Sequence, residues 1–416
     1  MATDLSTAFN PMAPDQVDDP YPLYARARRE QPVFFAESLG AWVVTRYADI
    51  AAVTRDTERF SSANALESSA VFPDEVMDIL RTGYLEFQSL VQSDPPDHTR
   101  VRNVFNKALS PQRVAALEPK VRALADELID GFVHDGEVEL IGRFAFPLPG
   151  TVIGELLGVP RSDLPRLRSG SNAKQILLAG AAPPALLAEC AREFVDLQRY
   201  FGAHIEARVH EPRGDLLTLL APIDIGGTAP LTMQEAVSNA IDLLAAGHET
   251  TTDMIGHGMT LLIAHPEQLA ALRADPSLVS DAVDEILRME APVRGMFRRA
   301  TVDTTLAGAA LPAGARLFLA YGSANRDEEA YPDPGVFDIR RRPATPHLAF
   351  SKGIHYCVGH ALARLEGRIA FERLLARLPG VRLHPTQPAE RRAFILLRGY
   401  ERLPLAWDAA PREANA

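Results

Sequence analysis

The stretch FSKGIHYCVG, residues 350–359, constrains this chain more than any other part, because the helix-forming run HALARLEGRIAFERLLARL follows it directly. It places Cys357 where a glycine-containing loop turns into a helix. The amides at a helix N-terminus carry partial positive charge, so they favour a thiolate over a thiol and can donate hydrogen bonds to its sulfur. An anionic metal ligand needs this environment. A buried structural cysteine near a helix start is the alternative role.

The order of residues in this loop resembles the haem-binding loop of the cytochrome P450s. The matching residues are Phe350, Gly353, His355, Cys357 and Gly359, and Ala363, Arg364 and Glu366 continue the familiar helix. Ser351 departs from the pattern, because the family usually has a glycine there. The resemblance implies that Cys357 is the axial iron ligand of haem b, with Phe350, His355 and Gly359 beside the cofactor.

The overall composition is that of an ordinary globular protein. The 416 residues contain neither a low-complexity run nor a charge block that would serve as a linker, so we expect one domain over residues 1–416. A net charge of −11 argues against nucleic acid as a partner. Cys190, the other cysteine, lies in a helical pattern that predicts a small core residue and no disulfide.

The N-terminal sequence lacks a basic segment followed by an apolar run, which predicts neither a secretory signal nor a membrane anchor. We therefore expect a cytoplasmic protein. Within the resemblance, this pattern is typical of the soluble bacterial type.

A long, mostly apolar helix is predicted over LTMQEAVSNAIDLLAAGHETTTDMIGHGMTLLIAH, residues 231–265. A glycine followed by threonines near its middle predicts a local widening or kink, since threonine hydroxyls can bond back to carbonyls. The segment resembles the family's oxygen-binding segment. That resemblance assigns proton relay to Glu249 and hydrogen bonding of activated oxygen to Thr250, with Ala246 and Gly247 closest to the haem.

Basic side chains for the haem propionates are also implied by the resemblance. His98 and Arg102 are four residues apart on a predicted helix and share one face. By composition alone they are ordinary surface charges, but in the family these two positions bind propionates. The same comparison assigns a propionate contact to Arg298 and another to His355.

A buried Glu and Arg pair is implied at Glu285 and Arg288, three residues apart on a predicted helix. Alone, this spacing indicates a routine surface ion pair. In the family the pair joins a later arginine, for which Arg341 is the candidate and Arg340 the one-residue alternative. We assign all three residues to support of the haem loop.

Candidate substrate contacts come from the loop before His98, from the segment after Pro292 and from the C-terminal strands. They are Phe72, Tyr84, Phe87, Arg294, Met296, Phe297 and Ile395. Simple packing of the loop is an equal alternative for the aromatic residues. Arg294 could pair with a substrate carboxylate, or could point toward solvent or a propionate.

The resemblance implies a mostly α fold with small β-sheets, in which the haem lies between the Thr-bearing and Cys-bearing helices. It implies a monooxygenase that inserts one oxygen atom from O2 into a small to medium apolar molecule by hydroxylation, epoxidation or dealkylation. Since no flavin or iron–sulfur domain is encoded, electrons from NAD(P)H would arrive through a ferredoxin and its reductase, and we expect a monomer. Arg341, Arg342, Lys352 and Arg364 could form the docking patch. The alternatives are a peroxide-driven peroxygenase and a haem protein that binds a ligand without turnover.

Overall fold

The computed structural model describes residues 4–63, 65–66, 70–85, 89–223 and 229–409. These residues fall into two compact units, and the chain enters each unit more than once. The first comprises Met1–Ser61, Pro111–Pro149 and Glu249–Ala416, and the second comprises Ser62–Ser110 and Gly150–His248. Neither unit is contiguous in sequence. The single domain over residues 1–416 stays a prediction.

The first unit contains most of the helices and all of the assigned strands. Its helices are Leu5–Ala8, Pro14–Asp18, Tyr21–Glu30, Tyr47–Arg55, Pro111–Ala116, Glu118–Asp130, Pro266–Ala274, Val279–Met289, Tyr321–Ala324 and His360–Arg377, with shorter 3-10 turns at Pro276–Leu278 and Gly353–His355 and a π-helical turn at Ile141–Ala145. We call His360–Arg377 the cysteine helix.

A five-stranded sheet is the largest sheet of the first unit. Its strands, in spatial order, are Val33–Ala36, Ala41–Val44, Arg316–Leu319, Met296–Ala300 and Phe60–Ser61. The first two form an antiparallel hairpin, with Val33 opposite Val44, as the alternating sequence predicts. A core of buried aliphatic side chains, including Ile50, Leu317 and Leu319, packs against this sheet.

Three smaller sheets complete the first unit. One joins Glu137–Glu139, Pro404–Ala406 and Arg382–Leu383, and the two others are the pairs Glu390–Arg391 with Tyr400–Arg402 and Thr304–Leu306 with Ala309–Leu311. The C-terminal segment therefore returns to the sheets as short strands, which its alternating sequence predicts.

The second unit is helical. Its helices are Asp74–Leu80, Asp97–Ala108, Leu164–Ala179, Pro184–His210 and Leu216–Leu220, with 3-10 turns at Leu90–Gln92 and Arg161–Asp163. Cys190 is a buried free thiol in an apolar cluster with Val76, Leu177 and Leu187, which confirms its predicted role as a small core residue.

Two helices continue from one unit into the other, Pro147–Leu157 and Met233–Ala264. The 32-residue helix Met233–Ala264, here called the long helix, is α-helical without a break, and the local widening or kink near Gly247 stays a prediction. The Thr252 hydroxyl donates to the carbonyl of Ala145 at 3.1 Å, whereas that of Thr260 donates to the carbonyls of Gly256 and His257 in its own helix. Within the described ranges, no helix is both long and apolar enough to span a bilayer.

Candidate active site

The cysteine loop is held in shape by its own backbone. The Cys357 amide donates to the carbonyl of Phe350 at 2.9 Å, and the Tyr356 amide donates to that of Gly353 at 3.1 Å. Gly359 is the N-cap residue of the cysteine helix, so Cys357 lies two residues before the cap. The half-buried thiol therefore lies where the sequence predicts it, just before a helix N-terminus.

Two glycines give this loop its close approaches. Gly353 has φ +71°, and a Cβ added there would lie 2.2 Å from the Thr54 carbonyl oxygen, so the turn packs directly on the helix Tyr47–Arg55. At Gly359 the situation differs, because among the described residues an added Cβ would meet just the Cys357 sulfur, at 3.9 Å. The space beside the sulfur fits a flat group lying against the loop.

Ser351 adopts the left-handed conformation, with φ +59°, at the position where the family usually has a glycine. A non-glycine residue pays about 1 kcal/mol for this conformation. The Ser351 hydroxyl shares a 2.9 Å hydrogen bond with the hydroxyl of Tyr321, and such a bond contributes about 1 kcal/mol. The serine is thus compatible with this loop, because the hydrogen bond to Tyr321 offsets the cost of the left-handed backbone conformation.

Aromatic and charged side chains cover one side of the loop. The rings of Phe350 and Tyr356 have centroids 6.4 Å apart and meet edge to face, and the Arg364 guanidinium lies 4.6 Å from the Phe350 ring centre. Arg364 Nε also donates to Asp284 at 2.8 Å, and His347 approaches the same carboxylate at 3.4 Å. These charges lower the pKa of Asp284 against the opposing effect of its burial.

The long helix packs against the cysteine helix within the first unit. A Cβ added at Gly367 would lie 2.6 Å from the Met254 terminal methyl, and one added at Gly258 would lie 2.1 Å from Phe371. Both positions therefore need glycine for close helix packing. This contact brings the Thr-bearing and Cys-bearing helices side by side, as the predicted arrangement requires.

Glu366 of the cysteine helix is a buried acid beside this contact. Burial raises its pKa to about 8, while a hydrogen bond with the Thr251 side chain lowers it. The carboxyl is thus largely protonated at neutral pH. The haem-loop pattern includes Glu366 without indicating its burial, although an acid between Leu365 and Gly367 in a mostly apolar helix is a sequence signal for a buried carboxyl.

On the long helix, Glu249 is buried, Ala246 is exposed and Thr250 is half-buried. Residues four apart share a helix face, so Ala246 and Thr250 mark an accessible strip on a helix whose other residues are mostly buried. Such a strip fits contact with a cofactor or oxygen. A Cβ added at Gly247 would lie 2.7 Å from Ile153, so this glycine allows close helix packing, and its predicted nearness to the haem stays a prediction.

The predicted propionate ligands divide between the two units. In the first, Arg298 is almost fully buried in the strand Met296–Ala300, and its Nη1 donates to the Phe297 carbonyl at 2.7 Å. A guanidinium has five N–H donors, so this group can also bind a carboxylate. His355 lies in the 3-10 turn before Cys357. In the second, His98 is buried and Arg102 half-buried on one helix, as the spacing predicts.

The candidate substrate contacts have mixed outcomes. Phe72 and Tyr84 line a cavity of about 910 Å³ in the second unit. Met296 and Ile395 are half-buried, and Phe87 lies outside the described residues. Phe297 is a correction: its ring centre lies 5.2 Å from that of Phe318 and under the Arg316 guanidinium at 4.4 Å, so it packs within the sheet.

Arg294 is a second correction. Its buried guanidinium donates from Nη1 to the carbonyl of Pro11 at 2.7 Å and from Nη2 to that of Gln16 at 2.9 Å. It thereby fastens the N-terminal segment to the segment after Pro292. Because these donors are used by main-chain carbonyls, the geometry does not support a carboxylate clamp at this position.

The Glu285 pair forms a buried network, and Arg341 completes it. Arg288 forks onto Glu285 at 2.7 and 2.8 Å, and Arg341 Nε reaches the same carboxylate at 3.1 Å. Arg288 Nη1 also donates to the carbonyls of Asn325 and Pro334. Arg340 is exposed, so the residue that joins the pair is Arg341.

Comparison with known proteins settles the family. The family model described as Cytochrome P450 matches residues 205–390. Cytochrome P450 107B1 of Saccharopolyspora erythraea is 39% identical over 392 residues, covering 92% of this chain and 93% of that protein. The chain belongs to the cytochrome P450 family. Its recognition from the cysteine loop is thereby confirmed.

A further relative and a solved structure agree with this membership. The 6-deoxyerythronolide B hydroxylase of Saccharopolyspora erythraea is 36% identical, covering 94% of this chain and 96% of the relative. The structure of cytochrome P450 CREJ in complex with (4-ethylphenyl) dihydrogen phosphate has a TM-score of 0.91 at 30% identity, with 97% of this chain and all of that chain covered. The mostly helical fold with small sheets is confirmed, and the chain is an oxidoreductase of the P450 monooxygenase family.

Family membership implies haem and O2-dependent monooxygenation, and the residues of the first unit fit the cofactor. The loop offers one thiol with open space beside its sulfur at Gly359, and a buried guanidinium at Arg298 suits a propionate. The roles of the individual site residues remain predictions.

Proposed function

We propose that this P450 inserts one oxygen atom from O2 into a small to medium apolar organic molecule, and that the Cys357 thiolate would hold the iron of haem b. The observation that carries the proposal is the Cys357 loop, bonded to the Phe350 carbonyl and capping a helix that packs on the Thr-bearing long helix. The haem, when bound, supplies the oxygen-activating chemistry.

The chain's own residues would hold and supply that chemistry. Amides at the start of the cysteine helix stabilise the Cys357 thiolate. His98, Arg102, Arg298 and His355 would hold the propionates. The Glu249 carboxyl would deliver protons at the long helix, and the Thr250 hydroxyl would donate a hydrogen bond on the accessible strip.

An apolar, neutral substrate is favoured by the cavity of about 910 Å³. Its wall includes Phe72, Leu80 and Phe194, and its charged groups already have partners. Lys174 pairs with Asp242, Glu235 and Asp97 both pair with Arg100, and Asp94 accepts from the Ser62 amide. The names of two relatives, 6-deoxyerythronolide B hydroxylase and vitamin D(3) 25-hydroxylase, favour hydroxylation among the three reaction types.

We expect matched neutral and acidic ligands to differ in binding. When each aromatic or terpenoid skeleton is offered as its acid and its neutral analogue, the neutral form should bind equally well or better, because Lys174, the one basic side chain among the described wall residues, already pairs with Asp242. The measurement is the spin-state shift of the ferric haem on titration. Consistent preference for the acids, lost on Lys174→Met, would instead indicate an anionic substrate.

For electrons, we propose a separate ferredoxin with its NAD(P)H-dependent reductase. We do not include Arg341 in the docking patch, because its guanidinium already donates to Glu285 and to the carbonyls of Pro332 and Val336. Arg342 and Arg364 are partly neutralised by Asp281 and Asp284. Lys352, over the Tyr47 ring, remains a candidate contact. Monomeric state and cytoplasmic location stay predictions.

Thr250→Val should uncouple NADPH oxidation from product formation. Valine keeps the shape of threonine without its hydroxyl, so we expect roughly tenfold more hydrogen peroxide per NADPH with a ferredoxin pair and a ligand found by the titration. The matched control is Thr252→Val, whose hydroxyl instead bonds to the Ala145 carbonyl. Unchanged coupling in Thr250→Val, or equal activity with peroxide alone in the parent, would favour a peroxygenase.

A further inference from the structure

A second buried acid lies one helical turn beyond Glu249. Asp253 is fully buried on the long helix, and its Oδ2 accepts a hydrogen bond from Arg392 Nη2 at 2.6 Å. Within the part of the chain that the structure describes, no donor reaches Oδ1. A buried carboxyl oxygen without a donor is costly, so its presence calls for an explanation.

The C-terminal segment is shaped around this carboxyl. The Arg392 amide donates to the Gly399 carbonyl at 3.1 Å, which closes residues 392–399 into a loop. A Cβ added at Gly399 would lie 1.8 Å from Asp253 Oδ1, so a side chain at 399 would displace the carboxyl. The loop thus confines Asp253.

Three charged side chains act on Asp253, namely Glu249, Arg392 and Glu401. Glu249 precedes it by four residues on the same helix face, which places the two Cβ atoms roughly 5–6 Å apart. On the other side, about a fifth of the Arg392 side chain is exposed, and Glu401 is an exposed acid on the neighbouring strand. Among the described residues, Arg392 therefore links Asp253 to a partly exposed position, and Glu249 lies one helical turn from Asp253 without a direct hydrogen bond between the two acids.

The surroundings set the ionisation of Asp253 near neutrality. Burial raises its pKa to about 7, with Arg392 lowering it and the negative charges of Glu249 and Glu401 raising it. An acid poised near the working pH can both accept and release a proton, which is the requirement for a relay.

We propose that Asp253 is the residue that returns protons to Glu249, with Arg392 as the positioning residue at the outer end of the route. This rests on the proposed role of Glu249. In each step the Asp253 carboxyl gives its proton through one bridging water molecule to the Glu249 carboxylate, and the Asp253 carboxylate, held by Arg392, regains a proton from solvent water that enters beside the partly exposed Arg392 side chain. Oxygen reduction consumes the protons delivered, and its electrons come from NAD(P)H through the proposed ferredoxin, so the relay itself moves protons only.

A purely structural ion pair is the competing explanation. In that case Asp253 would stay ionised across the neutral range and merely tie the C-terminal loop to the long helix. The two explanations differ in whether the carboxyl titrates near pH 7 and whether Glu249 senses it.

The test is infrared difference titration of the haem-loaded protein from about pH 5 to about pH 9, following the protonated carboxyl band. Two buried carboxyls should titrate in the parent, one with a midpoint near pH 7 that is absent in Asp253→Asn, and one near pH 8, from Glu366, that Asp253→Asn keeps and Glu366→Gln removes. Arg392→Gln should move the Asp253 midpoint to higher pH and Glu249→Gln to lower pH, because each removes one of the charges that act on Asp253. If no Asp253 band titrates in the parent, or if Glu249→Gln leaves its midpoint unchanged, the relay is wrong.

A second readout is NADPH-driven oxygen consumption with a plant-type ferredoxin pair and no organic substrate, since both peroxide and water formation need protons. We expect the parent rate to fall above pH 7, and Asp253→Asn to be roughly tenfold slower with a flat pH profile. Asp253→Glu should restore the pH dependence. A flat, slow profile in Asp253→Asn that Asp253→Glu does not rescue would favour the structural pair. If Glu249→Gln leaves the rate of oxygen consumption and its pH profile unchanged, and Thr250→Val leaves peroxide formation unchanged, the proposed roles of Glu249 and Thr250 fail as well as the relay.

Discussion

Cys357→Ser is expected to abolish the thiolate-ligated haem spectrum and to lower NADPH-driven oxidation by more than about 100-fold. Outer-sphere partners of a metal ligand alone affect affinity or activity 10- to 100-fold, so loss of the ligand should exceed this range. A serine hydroxyl remains protonated at neutral pH, and the helix N-terminus that stabilises a thiolate cannot make it an anion. The measurement is the carbon monoxide difference spectrum of the reduced protein, together with haem content.

Cys190→Ser provides the matched control for the cysteine replacement. Cys190 is buried in the apolar cluster with Val76 and Leu187, where burial raises its pKa and disfavours the thiolate. This variant should lose some stability and keep the thiolate spectrum in full. A thiolate spectrum that survives in Cys357→Ser but disappears in Cys190→Ser would overturn the proposed iron ligand.

The position of Cys357 just before a helix could be predicted from the sequence because its determinants are local. Cys357, the glycines and the helix that follows lie within one short stretch, so their spacing fixes which groups face one another. The same holds for His98 and Arg102, whose shared helix face follows from a separation of four residues. Family membership and the mostly helical fold could both be recognised from such segments.

The errors arise where a side chain depends on distant parts of the chain. Arg294 bonds carbonyls of Pro11 and Gln16, which no periodicity links to it. Phe297 packs on Phe318 of the paired strand. The alternation of apolar residues in the strand predicts that Phe297 is buried, but it does not predict whether its neighbours are sheet residues or a substrate. The Asp253 and Arg392 pair joins residues 139 positions apart, and neither shows its partner in the sequence.

Arg288→Ala is expected to lower the free energy of unfolding by about 3–5 kcal/mol, because it leaves the Glu285 charge buried without its main partner. The Arg288 and Glu285 side chains are 1% and 2% exposed, so solvent cannot replace the lost hydrogen bonds. Arg341 still reaches Glu285, but through one bond at 3.1 Å. The carbonyls of Asn325 and Pro334 also lose their donor, which loosens the segment leading to the cysteine loop.

The control for Arg288 is Arg342→Ala. Arg342 pairs with Asp281 at 2.7 Å, a similar distance, but its side chain is 77% exposed, and surface pairs of this kind contribute about 0–1 kcal/mol. Urea unfolding of the haem-loaded proteins should therefore separate the two arginine variants clearly. Arg288→Lys should recover little, since one ammonium cannot reproduce the two-pronged contact with Glu285 and the bonds to two carbonyls. Equal unfolding free energies for Arg288→Ala and Arg342→Ala would mean that the buried Glu285 network adds no more stability than a surface ion pair. The haem loop would then be stabilised mainly by its own backbone hydrogen bonds.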